Sequence, residues 1–237
     1  MHTELLPDAT AAAQRAAAFI AEQAREAVRE RGRFLLALSG GETPRPMLAA
    51  LARQPLPWER VQLFQVDERA APRGGEARNL THLERLLVAP AGLSPGCVHA
   101  MPVEAADLAA GAAAYAETLV AAAGAPPVLD LVHLGLGTDG HAASLFAGDA
   151  ALEVDDAWVA ATGLHRGHRR LTLTLPTLDR ARCLLWLVCG ADKAGVLARL
   201  LDGDDAMPAG RVPRARAWIV ADEAAGRPHV SASRGPS

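Results

Sequence analysis

Apolar residues recur along this chain with two periods, and the periods alternate. Between Asp8 and Glu30, the residues Ala16, Phe19, Ile20, Ala24 and Val28 fall on one face of a helix, and Gly32 stands where it should stop. "FLLALSG" follows, a short continuous apolar run closed by glycine, which reads as a buried strand. The alternation then continues. A helix is predicted from Pro44, a strand at "VQLFQVD", a helix from about Asn79 and a strand at "CVHAMPV". An alanine-rich helix follows near Glu104–Ala123, and after it the strand "LDLVHLGLG". Later apolar runs are "AWVAATG", "RRLTLTL", "CLLWLVCG" and "AWIVAD", with a helix at Asp192–Leu201 between the last two.

Apolar runs separated by helical periods predict the α/β class: a doubly wound, mostly parallel sheet with helices on both faces, Rossmann-like in plan. No low-complexity linker or repeat divides the chain. One domain is therefore expected over residues 1–226, with a flexible tail over 227–237. His2 and His229 are expected in flexible ends.

Composition narrows the function classes. The chain has 237 residues, 50% of them hydrophobic, enough for one sizeable core. A net charge of −3 gives no broad basic field, so neither nucleic acid nor a membrane surface is an expected partner. A phosphorylated small molecule remains open, because a few local cations suffice to hold it. No apolar run has the length of a membrane span. The first residues carry no basic stretch followed by an apolar one, so export is not expected. Cys97, Cys183 and Cys189 are odd in number and lack C-x-x-C spacing. They are expected to be reduced and buried, in a cytoplasmic protein.

In such a sheet, ligands collect at the carboxyl ends of the strands. Ser39, Gly40 and Gly41 follow one run and lead into a helix, where Thr43 can cap and Pro44 suits the first turn. Such a glycine turn can bind an anion or can simply be a tight connection. Asp67 and Arg69 stand just past the next run, where a carboxylate can hold a sugar hydroxyl and a guanidinium can fork onto a phosphate. Arg169 and Arg170 enter a strand, and Lys193 opens a helix after Gly190.

The segment "HLGLGTDGHAASLF" holds the richest pattern. Gly135, Gly137 and Gly140 have the G-x-G-x-x-G spacing of a dinucleotide-binding turn, and Asp155 and Asp156 lie near the distance of a ribose-binding acid. The context disagrees. "GDAALEV" is a poor second strand, the motif lies mid-chain, and Asp139 would face a pyrophosphate. The better reading is a turn that presents His141, a residue able to act as a base near neutral pH, beside Asp139 and Ser144. His82, His133, His165 and His168 have no partners at metal-ligand spacing, and His99 can line the site or close a strand. No metal or organic cofactor is expected.

Taken together, "SGGETP", "VDER", "RNL", "HAMP", "DLVHLGLGTDGHAASLF", "RRLTLTLP" and "GADKAGVL" resemble the 6-phosphogluconolactonases of the sugar-phosphate lactonase/isomerase superfamily. They occur in that family's order and cover nearly the whole chain. The resemblance implies hydrolysis of 6-phospho-D-glucono-1,5-lactone to 6-phospho-D-gluconate, in the oxidative pentose phosphate pathway. It implies His141 as general base with Asp139 as its partner. It implies substrate contacts from Ser39, Gly40, Gly41, Thr43, Asp67, Arg69, Asn79, Arg170 and Lys193, no cofactor, and a monomer or weak homodimer. Thr138 and Ala147 stand where the family often has proline. The alternatives are a glucosamine-6-phosphate deaminase/isomerase and a non-catalytic sugar-phosphate-binding module. In the deaminases the loop runs on to an acid that completes the histidine's relay; here the first carboxylate after His141 is Asp149.

Overall fold

The structure, a computed structural model, describes residues 1–227. His229 and residues 228–237 of the expected tail lie outside the described residues. The first half of the chain contains β1 (His2–Leu6), α1 (Ala9–Arg31), β2 (Phe34–Leu38), α2 (Arg45–Leu51), β3 (Val61–Gln65) and β4 (Asp67–Arg69). It continues with α3 (Asn79–Leu83), α4 (Ala89–Ala91), β5 (Val98–His99) and α5 (Leu108–Ala123). The second half contains β6 (Leu131–Leu134), β7 (Val159–Ala161), β8 (Arg170–Leu173), α6 (Leu175–Arg180) and β9 (Leu184–Val188). It closes with α7 (Ala194–Asp202), β10 (Ala217–Asp222) and α8 (Glu223–Gly226).

Seven strands form one sheet in the order β1-β10-β9-β6-β2-β3-β5, and every neighbouring pair is parallel. Both faces are covered, as the unbroken apolar runs require. In β2, Phe34, Leu36 and Leu38 join a core with α1 and α2, while Leu35 and Ala37 join a second core with α5. In β9, Leu185 and Leu187 face the first core, and Leu184, Trp186 and Val188 face the second. The strand period of two thus feeds two cores from one run.

From β2 the chain winds outward through β3 to β5, then returns to β6 on the other side of β2 and winds away through β9 and β10. The winding reverses between β2 and β6. Crevices for ligands open at the carboxyl ends of strands at such a reversal.

Four expectations need correction. His2 lies in β1, not in a flexible end, and its ring meets Trp218 at 3.9 Å between centroids. β1 is an edge strand with an exposed face, so its sequence shows no apolar run. Thr43 does not cap α2: Pro44 holds the cap position and no side chain bonds there. The alanine-rich helix begins at Leu108 rather than Glu104, because the Asp107 carboxylate accepts the Ala109 N–H and sets the start. The three cysteines are free but only half-buried.

"VDER", "AWVAATG" and "RRLTLTL" also lie outside the main sheet. They form a separate antiparallel sheet, β4-β8-β7. Asp67 and Arg69 are thus not beyond a strand but within a second short one, which pairs Asp67 with Thr172 and Arg69 with Arg170.

Candidate active site

A cleft of about 420 Å³ opens where β2 and β6 end, walled on one side by the small sheet. Ten of the residues expected from the sequence line it: Ser39, Gly40, Gly41, Thr43, Asp67, Arg69, Asn79, His141, Arg170 and Lys193. The eleventh, Asp139, stands behind His141. They come from the ends of β2 and β6, from β4 and β8, from the start of α3 and from the turn before α7.

The floor is a set of close approaches. Gly40 lies against Asn79, and a Cβ there would overlap the Asn79 side chain. The Asn79 amide donates to the Asp67 carbonyl at 2.9 Å, while its buried Oδ1 has no protein partner. Ser39 donates to the His133 carbonyl and ties β2 to β6. Ser144 donates to Asp67 Oδ2 at 2.6 Å. Beneath these, the wholly buried Glu68 carboxylate accepts the backbone N–H groups of Arg69, Asn79 and Leu80 and the Gln65 amide, each at 2.8 Å. Arg78, equally buried, lies 3.3 Å from it. One carboxylate therefore fixes both Arg69 and Asn79.

The Asp139–His141 pair is set by the turn after β6. Gly137 N–H donates to the His141 carbonyl at 2.9 Å, and the His141 ring folds back over Gly137. A Cβ at Gly137 would overlap His141 Nδ1. Glycine is needed here for the histidine, not for a pyrophosphate. Residues Ala150–Glu153 form a short 3-10 helix, so no second strand leads to Asp155 and Asp156 either. His141 Nδ1 lies 2.5 Å from Asp139 Oδ1. That contact assigns the ring proton to Nδ1 and leaves Nε2 as the acceptor.

Burial lowers the pKa of His141, and the raising effect of Asp139 and Asp67 does not fully offset it. Burial pushes Asp139 up, but its bonds to His141 and the charge of Arg166 outweigh that and hold it below its usual value. The pair is a neutral imidazole and a carboxylate. Such a pair can accept a proton from water at Nε2 near neutral pH.

The remaining wall is cationic. Arg69 and Arg170 stand directly opposite each other in the β4–β8 register, an arrangement that repels. The Nε atoms of both are buried without a partner. Arg170 sits over the Phe146 ring at 5.2 Å. Burial lowers its proton affinity, with the charges of Arg69 and Arg166 adding to that effect and Asp67 opposing it. Among the described residues, the Lys193 ammonium meets one charged group, Asp192, at 3.9 Å.

Sequence reasoning missed two groups. Arg166 lines the cleft and donates to Asp139 Oδ2 at 3.2 Å. His165 pairs with Asp149 at 2.5 Å, so the first carboxylate after His141 serves another histidine. The local signal is Gly167, a turn residue; Arg166 beside it is not one that a two-residue turn favours. His99 does not line the cleft; it stacks on Phe64 and bonds Gln62. Among the described residues, no group of His, Cys, Asp and Glu is placed to hold a metal ion, and no helix is long and apolar enough to cross a membrane.

Residues 7–220 match the family described as glucosamine-6-phosphate isomerases/6-phosphogluconolactonase. A 6-phosphogluconolactonase of Synechocystis sp. is 38% identical over 191 residues, covering 79% of each chain. One of Streptomyces coelicolor is 35% identical over 233 residues, covering 90% of this chain and 88% of its own. The crystal structure of a 6-phosphogluconolactonase from Thermotoga maritima superposes with a TM-score of 0.83 at 26% identity, over 93% of this chain and 98% of that one. A monomeric glucosamine-6-phosphate deaminase also reaches a TM-score of 0.83, over 95% of this chain and 98% of its own, at 18% identity, a likeness of fold alone.

Proposed function

The chain belongs to the glucosamine-6-phosphate isomerase/6-phosphogluconolactonase family, and on that premise we propose that it hydrolyses 6-phospho-D-glucono-1,5-lactone to 6-phospho-D-gluconate with water activated by His141. The observation that carries the reading is the Asp139–His141 pair, with Nε2 unpartnered among the described residues, at the edge of a cleft lined by four cations.

His141 Nε2 takes a proton from water as the water oxygen attacks the lactone carbonyl carbon. Asp139 steadies the imidazolium that forms. Arg170 stabilises the oxyanion of the tetrahedral intermediate; one well-placed donor to such an oxyanion contributes about 2.7–4 kcal/mol. Collapse breaks the bond to the ring oxygen, which receives the proton back from His141. The products are a carboxylate and a free hydroxyl on one open chain.

The phosphate lies away from the reacting carbon and supplies orientation. Arg69 and Lys193 hold it, with the open turn from Ser39 to Thr43 beside them. Arg69 and Arg170 repel each other, and negative charge brought to either by the ligand relieves that repulsion. Asp67 and Asn79 face the sugar hydroxyls.

The lactonase reading is preferred to the deaminase by the fate of Asp149. That carboxylate accepts from Ala151 and Gly163 and pairs with His165. It is thus committed away from His141, as the deaminase relay would not allow. The test supplies fresh 6-phosphogluconolactone, with spontaneous hydrolysis subtracted, and separately supplies glucosamine 6-phosphate. Acid production from the first is expected. Ammonia release from the second, with no lactone turnover, would replace the lactonase by the deaminase. Tight binding of both without turnover would leave a binding module.

A further inference from the structure

The segment 162–168 is a hairpin over the reaction loop. His165 and His168 exchange backbone hydrogen bonds at 3.0 and 3.1 Å, and the two residues between them, Arg166 and Gly167, have φ of 50° and 82°. Left-handed backbone at both central positions is the type I′ turn, which glycine and asparagine favour and arginine does not. A left-handed arginine is a local strain of the kind that collects at functional sites.

The hairpin is fixed from below. His165 pairs with Asp149 at 2.5 Å and stacks on Phe146 at 4.1 Å, and Gly163 N–H donates to the same Asp149 oxygen at 2.9 Å. The Phe146 ring that Arg170 covers also meets the His141 ring, at 4.5 Å. Two consecutive hairpin residues thus take hold of the two carboxylates that flank the reaction loop: His165 holds Asp149 behind it, and Arg166 holds Asp139 in front.

We propose that Arg166 is a positioning residue for the Asp139–His141 pair, holding the carboxylate oxygen that His141 leaves free. Asp139 Oδ1 meets His141 Nδ1, and Oδ2 accepts from Arg166 Nη2 at 3.2 Å. With both oxygens engaged, the carboxylate keeps one rotamer and the imidazole keeps one orientation. The same cation disfavours a proton on His141. The other titratable groups around the ring are Asp139 on its own loop, Asp67 on β4, Arg69 and Arg170 on the small sheet, Glu42, Asp192 and Lys193 across the cleft, and His165 beyond Phe146. Asp139 and Asp67 favour the imidazolium, and Arg166 opposes it.

The inference rests on the lactonase reading for its kinetic readout only. The test is Arg166→Asn, chosen because Asn-Gly is the preferred pair for this turn, so the hairpin should fold at least as well. The His141 ring is titrated by NMR in labelled free protein, which needs no turnover. Because the ion pair is solvent-exposed, its effect is modest: the midpoint should rise by about half a pH unit. The acid limb of kcat/KM should rise with it, and kcat should fall several-fold with KM held. Arg166→Lys should restore the titration. An unmoved His141 midpoint in Arg166→Asn would overturn the proposal. So would a raised KM with unchanged kcat, which would make Arg166 a substrate contact. Absence of lactone turnover in the unaltered protein would sink the proposed function instead, and the titration would still decide this one.

Discussion

At the scale of single residues, the proposed site is a division of labour between one neutral base and several fixed cations. His141 is usable because burial keeps it neutral and Asp139 fixes its tautomer. Among the described residues the Lys193 ammonium has one loose ionic contact, to Asp192, so its charge is free for a ligand. Lys193→Ala should raise KM about tenfold or more with kcat little changed, since a charge-assisted bond contributes about 1.5–3 kcal/mol. Steady-state kinetics on the lactone checks this; an unchanged KM would remove Lys193 from the phosphate site. His141 and Asp139 were legible because two residues of chain bring them together, and Gly137 and Gly140 mark the tight turn. Arg166 was not, because its contact with Asp139 bridges 27 residues and depends on a hairpin that only the fold closes over the loop.

At the scale of elements, the small antiparallel sheet decides where the cations stand. Its anchor is Glu68, wholly buried, joining β4 to the start of α3 and facing the buried Arg78. Glu68→Ala leaves three N–H groups without an acceptor and takes from buried Arg78 one of its two carboxylate neighbours, Glu104 remaining. Breaking a buried pair in this way costs about 3–5 kcal/mol, so a fall in denaturant midpoint should accompany a rise in KM as Arg69 and Asn79 lose their support. A stable variant with normal KM would contradict that role. The long elements were readable from periodicity: α1 differs from its expected span by a residue at each end, with Asp8 and Gly32 as its caps. The small sheet was not. β7 and β8 read like any buried strand, and nothing local says that they pair with "DER" instead of joining the main sheet.

At the scale of the whole molecule, the winding reversal between β2 and β6 places the glycine turn beside the histidine turn. The strand that carries the histidine turn also holds a buried group with a global effect. His133, in the middle of the main sheet, is wholly buried, and burial pushes its pKa down to about 3. An unfolded chain takes that proton near pH 6.5. The unfolded state therefore binds more protons as pH falls from about 6.5 toward 3, and stability drops over that window while staying flat above it. His99 and His141, also lowered by burial, add to the same slope. His133→Leu should flatten the fall in urea midpoint between about pH 6.5 and 5, a range in which the lowered carboxylates stay ionised. An identical slope in both proteins would show that His133 is not the cause. The central claim is that this crevice hydrolyses a phosphorylated lactone with His141 as base, and the most direct measurement is kcat and KM of His141→Asn on freshly made 6-phosphogluconolactone beside the unaltered protein. General-base catalysis is worth about 10²–10⁴-fold, so kcat should fall by at least about a hundredfold with KM nearly unchanged. Turnover near that of the unaltered protein would contradict the account.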